Sequence, residues 1–110
     1  MRIDKRVEGD VTVIAFDGAL DSGTAGAAQQ ELEQLVPAHG AVLLDLSRMS
    51  YMSSAGLRVL LLVYRWAKNS GTRVTLADVL PDVREVMAAT GFLDFFEVAD
   101  SVADGVAALT

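Results

Sequence analysis

The sequence predicts one α/β domain built on a mixed, mostly parallel sheet of about four to five strands, with about four helices and an N-terminal antiparallel hairpin. Two observations predict this class. Short apolar runs alternate along the chain with longer stretches of helical periodicity, which is typical of helices that connect parallel strands. In addition, the 110 residues fit the size of one domain and contain no repeat, low-complexity tract or linker.

The first two strands are predicted to pair as a hairpin. Residues 3–7 alternate weakly between apolar and polar side chains, and residues 11–16 form a stronger apolar run. Only residues 8–10 separate the two runs, and Gly9 lies among them. A connection this short that contains glycine indicates an antiparallel pair of neighbouring strands.

The first helix is predicted to begin at a cap residue, Asp21 or Ser22, and to end near Val36. Pro37 and Gly40 follow it and stop it. The residues that form its apolar stripe are Ala28, Leu32 and Leu35.

The next strand and helix have clear signals at both ends. Residues 41–44 form a continuous apolar run, which is typical of a strand covered on both faces. We expect a loop of about seven residues between this strand and Ser53. A long helix follows, which starts at Ser53 and Ser54 and ends at Gly71, a residue type that commonly terminates helices.

The C-terminal third continues the alternation. Residues 73–77 are predicted as a strand, and a helix over residues 81–91 opens at a proline and ends at a glycine. Residues 95–99 are predicted as a short last strand, and Ser101 caps a final helix that runs through Leu109.

Composition and charge exclude several classes of function. Nine basic and fifteen acidic residues give a formal charge of −6, so the chain should repel a nucleic-acid backbone. The chain has no cysteine, which excludes disulfides, zinc–thiolate sites and thiol nucleophiles and permits a cytoplasmic location. Its longest apolar run, residues 59–64, is far shorter than the roughly 20 residues that span a bilayer. We therefore expect a cytoplasmic protein that binds no nucleic acid and does not insert into membranes.

Neither of two enzymatic interpretations fits the sequence. A serine hydrolase would need Ser54, His39 and Asp45 to meet, yet Met52 stands where the Gly-x-Ser-x-Gly elbow requires glycine. Nucleotide binding would need a glycine-rich phosphate motif, and isolated glycines do not make one. We therefore predict no catalytic residue, no cofactor and no metal site.

Three segments are expected to converge at the carboxyl ends of the strands, where open α/β sheets usually bind ligands and partners. Asp21 follows the second strand, Asp45 ends the third, and Ser53 and Ser54 start the next helix. Each residue also has a purely structural interpretation, which is a helix cap for Asp21 and the serines and a loop hydrogen bond for Asp45. A helix start also tolerates a phosphate, because it presents unpaired N–H groups and partial positive charge.

The helix that starts at Ser53 and Ser54 has a sheet-facing side and an opposite side when its residues are placed about 100° apart. The sheet-facing residues are Gly56, Val59, Leu60, Val63 and Ala67. The opposite side carries Ser54, Leu57, Arg58, Leu61, Arg65 and Lys68. Leu57 and Leu61 are out of place on a solvated side. Either a C-terminal segment or loop covers them, or they belong to a partner-binding surface.

The segment from Asp45 to Leu60, DLSRMSYMSSAGLRVL, resembles the signature of bacterial anti-sigma-factor antagonists of the STAS family. Residues 18–21 and 90–92 are also similar to that family, so the resemblance covers essentially the whole chain. Two positions depart from the commonest version of the motif, Asp-Ser-Ser-Gly. Ser53 stands in the place of the aspartate, and Ala55 replaces the serine before the glycine.

The resemblance implies a binding module that is switched by phosphorylation, not an enzyme. The unphosphorylated protein would bind an anti-sigma factor that is also a serine kinase, and a sigma factor would be released. The kinase would then phosphorylate Ser54, with Ser53 as the alternative acceptor, and a metal-dependent serine phosphatase would restore the active form. The residues predicted to form the partner-binding site are Asp21, Asp45, Ser53, Ser54, Leu57, Arg58 and Leu61.

The resemblance also leaves an alternative. The chain would then be a STAS interaction module of a transport complex or a signalling scaffold, and it would regulate no sigma factor. Homodimerisation stays open in both interpretations.

Overall fold

Five strands and four helices make up the computed structural model, which describes all of residues 1–110. The strands are β1 (Arg2–Glu8), β2 (Val11–Leu20), β3 (Ala41–Met52), β4 (Arg73–Ala77) and β5 (Glu97–Ala99). The helices are α1 (Ala25–Leu35), α2 (Ser54–Ser70), α3 (Pro81–Ala89) and α4 (Val102–Leu109), and a short 3-10 helix covers Phe92–Phe95. The strands lie in the sheet in chain order, with β1 antiparallel to β2 and all other neighbours parallel. The predicted fold class is confirmed.

Helices cover both faces of the sheet. The larger apolar cluster lies between one face and the helices α1, α2 and α3, which contribute Leu32, Leu60 and Met87. The helix α4 packs on the other face, where Leu43 belongs to the same smaller cluster as Val106. The predicted sheet-facing residues of α2 are all buried, and these are Gly56, Val59, Leu60, Val63 and Ala67.

The strands β1 and β2 form the predicted hairpin, and both are longer than expected. Glu8 pairs directly with Val11, so the turn contains only Gly9 and Asp10 instead of three residues. Gly9 has a φ of +62°, which glycine adopts without steric cost. A two-residue turn with glycine first is typical of antiparallel hairpins.

The loop predicted before Ser53 is wrong, because β3 continues through it to Met52. Over this last part β3 pairs with β2 alone, since β4 ends opposite Asp45. The pairing shifts register at residues 15–17 and again at residues 18–19 of β2. Such irregularities break the strict alternation of apolar and polar residues that marks a strand, so the sequence pattern resembles a loop.

The ends of α2 and α4 follow the sequence signals. Ser53 and Ser101 cap these helices, because each side chain accepts a hydrogen bond from a backbone N–H three residues later. Gly71 ends α2 in the left-handed conformation, with a φ of +76°. None of the helices is both long and apolar enough to cross a membrane.

The start of α1 differs from the prediction. Thr24 occupies the N-cap position, without a side-chain cap hydrogen bond, where Asp21 or Ser22 was expected. The reason is that the carboxylate of Asp21 closes a separate turn before the helix begins.

The segment between α3 and β5 also differs. The helix α3 ends at Ala89, before the predicted stop at Gly91. Phe95 belongs to the 3-10 helix and not to the last strand, and its ring lies 5.7 Å from the ring of Tyr64 in α2. This contact between distant parts of the chain is absent from any local sequence pattern.

Candidate functional site

The carboxyl ends of β2 and β3 bring two of the predicted site segments together. Both strands extend beyond β4 as a two-stranded arm, the β2–β3 arm, formed by residues 16–20 and 46–52. At its tip Leu20 pairs with Met52, and the backbone N–H of Ser53 donates to the carbonyl oxygen of Leu20 at 3.0 Å. The turn after β2 and the start of α2 are therefore adjacent.

The two serines at the start of α2 have different surroundings. Ser53 is half-buried at the N-cap, where its Oγ accepts a hydrogen bond from the backbone N–H of Gly56 at 3.4 Å. Ser54 is the first residue of the helix, and it is exposed. The outward-facing Ser54 predicted from the helical wheel matches this geometry, and Ser53 is the serine that caps the helix. An incoming protein can reach the Ser54 hydroxyl without opening the cap.

Gly56 allows α2 to begin directly against the end of β2. A Cβ atom at position 56 would lie 2.8 Å from the Cγ of Leu20 and 2.9 Å from its carbonyl carbon. Non-bonded carbon atoms pack at about 3.5–4.0 Å, so no side chain fits there. The glycine therefore has a steric role in placing Ser54.

Asp21 organises the turn between β2 and α1. Its Oδ1 accepts hydrogen bonds from the backbone N–H groups of Gly23 at 2.9 Å and Thr24 at 3.2 Å. The hydroxyl of Thr24 donates to the carbonyl oxygen of Ala19 at 2.9 Å. These bonds hold the turn against the end of β2, so the half-exposed Asp21 lies near the start of α2 with one carboxylate oxygen engaged.

Asp45 lies away from the other predicted site residues. It pairs with Ala15 and Ala77 within β3 and does not end the strand. The strand continues for seven residues beyond it, which is roughly 23 Å at about 3.3 Å per residue. Its Oδ1 accepts a hydrogen bond from the backbone N–H of Ser47 at 3.0 Å. The expectation that Asp45 ends a strand beside the two serines is wrong, and its hydrogen bond is a local structural one.

Leu57 and Leu61 are less exposed than the helical wheel predicts. Leu57 is only 2% exposed and belongs to the main apolar cluster together with Val83 and Met87 of α3. Leu61 is half-buried against the same cluster, whereas Arg58 is exposed. The outward orientation predicted for Leu57 is wrong, and the alternative that a C-terminal segment covers this residue is borne out. The helix α2 packs against the C-terminal part of the chain as well as against the sheet. Its buried arc is therefore wider than one stripe.

The exposed side of α2 is basic, although the protein is acidic overall. The charged residues of this helix are Arg58, Arg65 and Lys68, and none is acidic. Arg58 follows Ser54 by four residues, so the two side chains share one face of the helix, about one turn apart. The N-terminus of α2 adds partial positive charge. A phosphate on Ser54 would meet favourable charge from its own helix.

An apolar groove beside the serines is not foreseen by the sequence pattern. It lies between the end of β3 and α3, and it is lined by Tyr51, Met52, Val83, Val86 and Ala89 together with the carboxylates Asp82 and Glu85. Tyr51 is 54% exposed and lies two residues before Ser53. The predicted loop at residues 46–52 does not place Tyr51 next to α3, whereas the strand β3 does, so the groove has no signal in the sequence.

Comparison with known proteins finds one family whose model matches nearly the whole chain. A family model described as STAS domain matches residues 2–105 of the chain. BtrV of Bordetella bronchiseptica, which is named for a suggested role as an anti-sigma factor antagonist, is 39% identical to this chain over 90 residues. That match covers 81% of this chain and 78% of BtrV.

Two solved structures share the fold. An anti-sigma-factor antagonist (STAS) domain protein from Planctomyces limnophilus gives a TM-score of 0.89 at 19% identity, over 98% of this chain and 97% of that chain. An anti-sigma factor antagonist from Mycobacterium paratuberculosis gives a TM-score of 0.82 at 26% identity, over 98% of this chain and 92% of that chain. Both matches extend over nearly the whole domain.

Proposed function

The chain belongs to the STAS domain family, and we propose that it is an anti-sigma factor antagonist of the bacterial cytoplasm. The unphosphorylated protein binds an anti-sigma factor that is also a serine kinase, and a sigma factor is thereby released. The observation that carries the proposal is the exposed hydroxyl of Ser54 at the first position of α2, next to a separate capping serine. The 39% identity to BtrV supports it.

The partner-binding surface consists of the start of α2 and the features beside it. Its residues are Asp21, Tyr51, Ser53, Ser54, Arg58 and Leu61. Leu57 is left out because it is buried, and Asp45 is left out because it lies far along β3. The groove beside Tyr51 combines an apolar floor with two carboxylates, which favours a partner that presents apolar and basic side chains.

Phosphorylation of Ser54 is the switch. The Ser54 hydroxyl oxygen attacks the γ-phosphorus of the ATP that the partner holds, its proton passes to a base of the kinase, and ADP leaves. The new phosphate carries about −1.5 to −2 charges. The fold tolerates this charge, because the N-terminus of α2 and the side chain of Arg58 both offset it.

The phosphate therefore acts on the complex and not on the fold. A partner that covers Ser54 must remove water from it, and a dianion in a dry interface costs free energy unless a cation meets it. The phosphates of the kinase's own nucleotide add like charge at the same place. The complex separates, and a metal-dependent serine phosphatase later restores the free hydroxyl by hydrolysis, with release of inorganic phosphate.

Isolation of the native complex tests this function. Tagged wild-type protein is purified with its partners from the bacterium that encodes it, and mass spectrometry identifies the partners and any phosphoserine. We expect a histidine-kinase-like ATPase to be recovered, and phosphate to be found on Ser54. The matched control is Ser54→Asp, which should lose the ATPase. Recovery of transporter subunits without such an ATPase would contradict the proposal and favour a transport or scaffold module.

A further inference from the structure

The outer edge of the sheet at β1 has no neighbouring strand. β1 lies at one end of the strand order and pairs with β2 alone. Val7, on this strand, is a large apolar residue that is 61% exposed. An open strand edge is a template for another strand, unless its sequence prevents pairing.

The hairpin turn determines which backbone groups of β1 face the open edge. In a two-residue hairpin the residues that flank the turn, here Glu8 and Val11, form a hydrogen-bonded pair. Hydrogen-bonded and non-hydrogen-bonded pairs alternate from there along the strand. The even-numbered residues of β1 therefore direct their N–H and C=O groups to β2. The odd-numbered residues, Ile3, Lys5 and Val7, direct theirs out of the sheet.

The charges of β1 complement those of the same strand in the reverse direction. In an antiparallel pair of two copies with Lys5 opposite Lys5, Arg2 lies opposite Glu8 and Asp4 lies opposite Arg6, each twice. Within one copy, Arg2 already contacts Asp4 at 3.0 Å, and Arg6 contacts Glu8 at 3.2 Å. The side chains of all four residues are largely exposed, so a second strand can extend the two pairs into a network.

The central register is complementary over the whole length of β1. The registers four residues away also pair opposite charges, but they join only one end of each strand, and the registers two residues away are unfavourable. A shift of two residues in one direction places Asp4 opposite Asp4 and Arg2 opposite Arg6. A shift of two residues in the other direction places Arg6 opposite Arg6 and Asp4 opposite Glu8. Like charges directly opposite each other on neighbouring strands are destabilising. A shift of one residue fails for another reason, because it pairs outward-facing backbone groups with groups already bonded to β2.

We propose that β1 is a self-pairing edge, through which a second copy of the chain joins two five-stranded sheets into one continuous sheet about a two-fold axis at Lys5. The outward backbone groups of three residues in each copy gain partners. Val7 of one copy lies opposite Ile3 of the other, so the exposed valine gains an apolar neighbour. Lys5 is the one residue that meets a like charge in this pairing. Its side chain lies on the same face of β1 as Ile3, and the carboxylate of Glu31 lines one groove with Ile3 on that face.

The edge shares no residue with the partner-binding surface proposed above. Self-association and anti-sigma factor binding are therefore tested independently, and failure of one leaves the other intact.

Sedimentation velocity from micromolar to near-millimolar concentration tests the proposal. We expect a reversible monomer–dimer equilibrium for the wild type. Arg6→Glu places a glutamate opposite Asp4 twice per dimer, so dimerisation should weaken at least about tenfold. The control Arg65→Glu makes the same charge change on the exposed side of α2 and should leave the dimer unchanged.

Reversal of all four charges provides the sharper test. The variant with Arg2→Glu, Asp4→Arg, Arg6→Glu and Glu8→Arg keeps the self-complementary pattern, so it should dimerise with itself and not with the wild type. Lys5→Pro removes one outward N–H per copy and should also weaken the dimer, with circular dichroism as the folding control. A wild type that stays monomeric at the highest concentration overturns the proposal. So does a four-charge variant that mixes freely with the wild type, because the dimer would then use another surface.

Discussion

The backbone N–H of Ser53 donates to the carbonyl oxygen of Leu20 at 3.0 Å, and this bond joins the start of α2 to the end of β2. The bond needs no particular side chain at either residue, so it depends on how closely the two backbones approach. Gly56 permits that approach because it has no Cβ. The exposed hydroxyl of Ser54 therefore stands at a position that backbone packing determines.

Replacement of Gly56 tests this close approach. Gly56→Ala should lower the free energy of unfolding by about 1–3 kcal/mol, because the new methyl group overlaps Leu20 and the two elements must separate. The matched control is Gly26→Ala in α1, where a Cβ meets nothing within 4 Å. That change should be neutral or stabilising by up to about 1 kcal/mol. Urea denaturation measures both values, and equal losses in the two variants would contradict the steric role.

The parts of the fold that local signals define are the parts that the sequence predicts well. Residues 73–77 form β4 as predicted, because the strand is short, regular and paired on both sides. The start and end of α2 follow from a capping serine and from Gly71, which are signals within the helix itself. The capping position of Ser53 and the exposed position of Ser54 follow from the same local signals at the start of the helix.

The parts that were missed depend on contacts between distant segments. The irregular pairing of the β2–β3 arm hides the strand that carries Tyr51, so the groove beside the serines has no sequence signature. Leu57 is covered by a cluster that includes residues of α3, and a helical wheel cannot foresee a second packing surface. Both misses concern the surroundings of the site and not the serines themselves.

Truncation of three leucines of α2 tests the burial of this helix. Leu57→Ala and Leu60→Ala should each lower the free energy of unfolding by about 2–5 kcal/mol, as truncations of fully buried leucines do. Leu61→Ala should cost clearly less, because this side chain is half-exposed. Chemical denaturation of the three variants measures the differences. If Leu57→Ala cost no more than Leu61→Ala, the C-terminal segment would not cover Leu57 in solution.

Capping and phosphorylation are expected to separate between the two serines. Ser53→Ala should lower the free energy of unfolding by about 0.5–2 kcal/mol, towards the lower end because the cap hydrogen bond is long at 3.4 Å. Ser54→Ala should leave stability nearly unchanged. Incubation with the partner kinase and labelled ATP should give phosphate incorporation in Ser53→Ala and none in Ser54→Ala. The opposite result would assign the acceptor to Ser53.

A negative charge at position 54 should weaken the complex without harming the fold. Ser54→Asp places a carboxylate at the start of α2, where the helix dipole and Arg58 favour it, so the variant should fold normally. In the complex the same carboxylate loses its water and faces the kinase's nucleotide. The Ser54→Asp variant should therefore bind the anti-sigma partner at least about tenfold more weakly, a penalty of about 1.4 kcal/mol. Ser54→Ala should bind like the wild type and resist release by ATP with magnesium. Calorimetric titration of the three proteins, with circular dichroism as the folding control, measures both effects. Wild-type affinity in a folded Ser54→Asp variant would rule out an electrostatic switch at this serine, and ATP-driven release of Ser54→Ala would place the acceptor elsewhere.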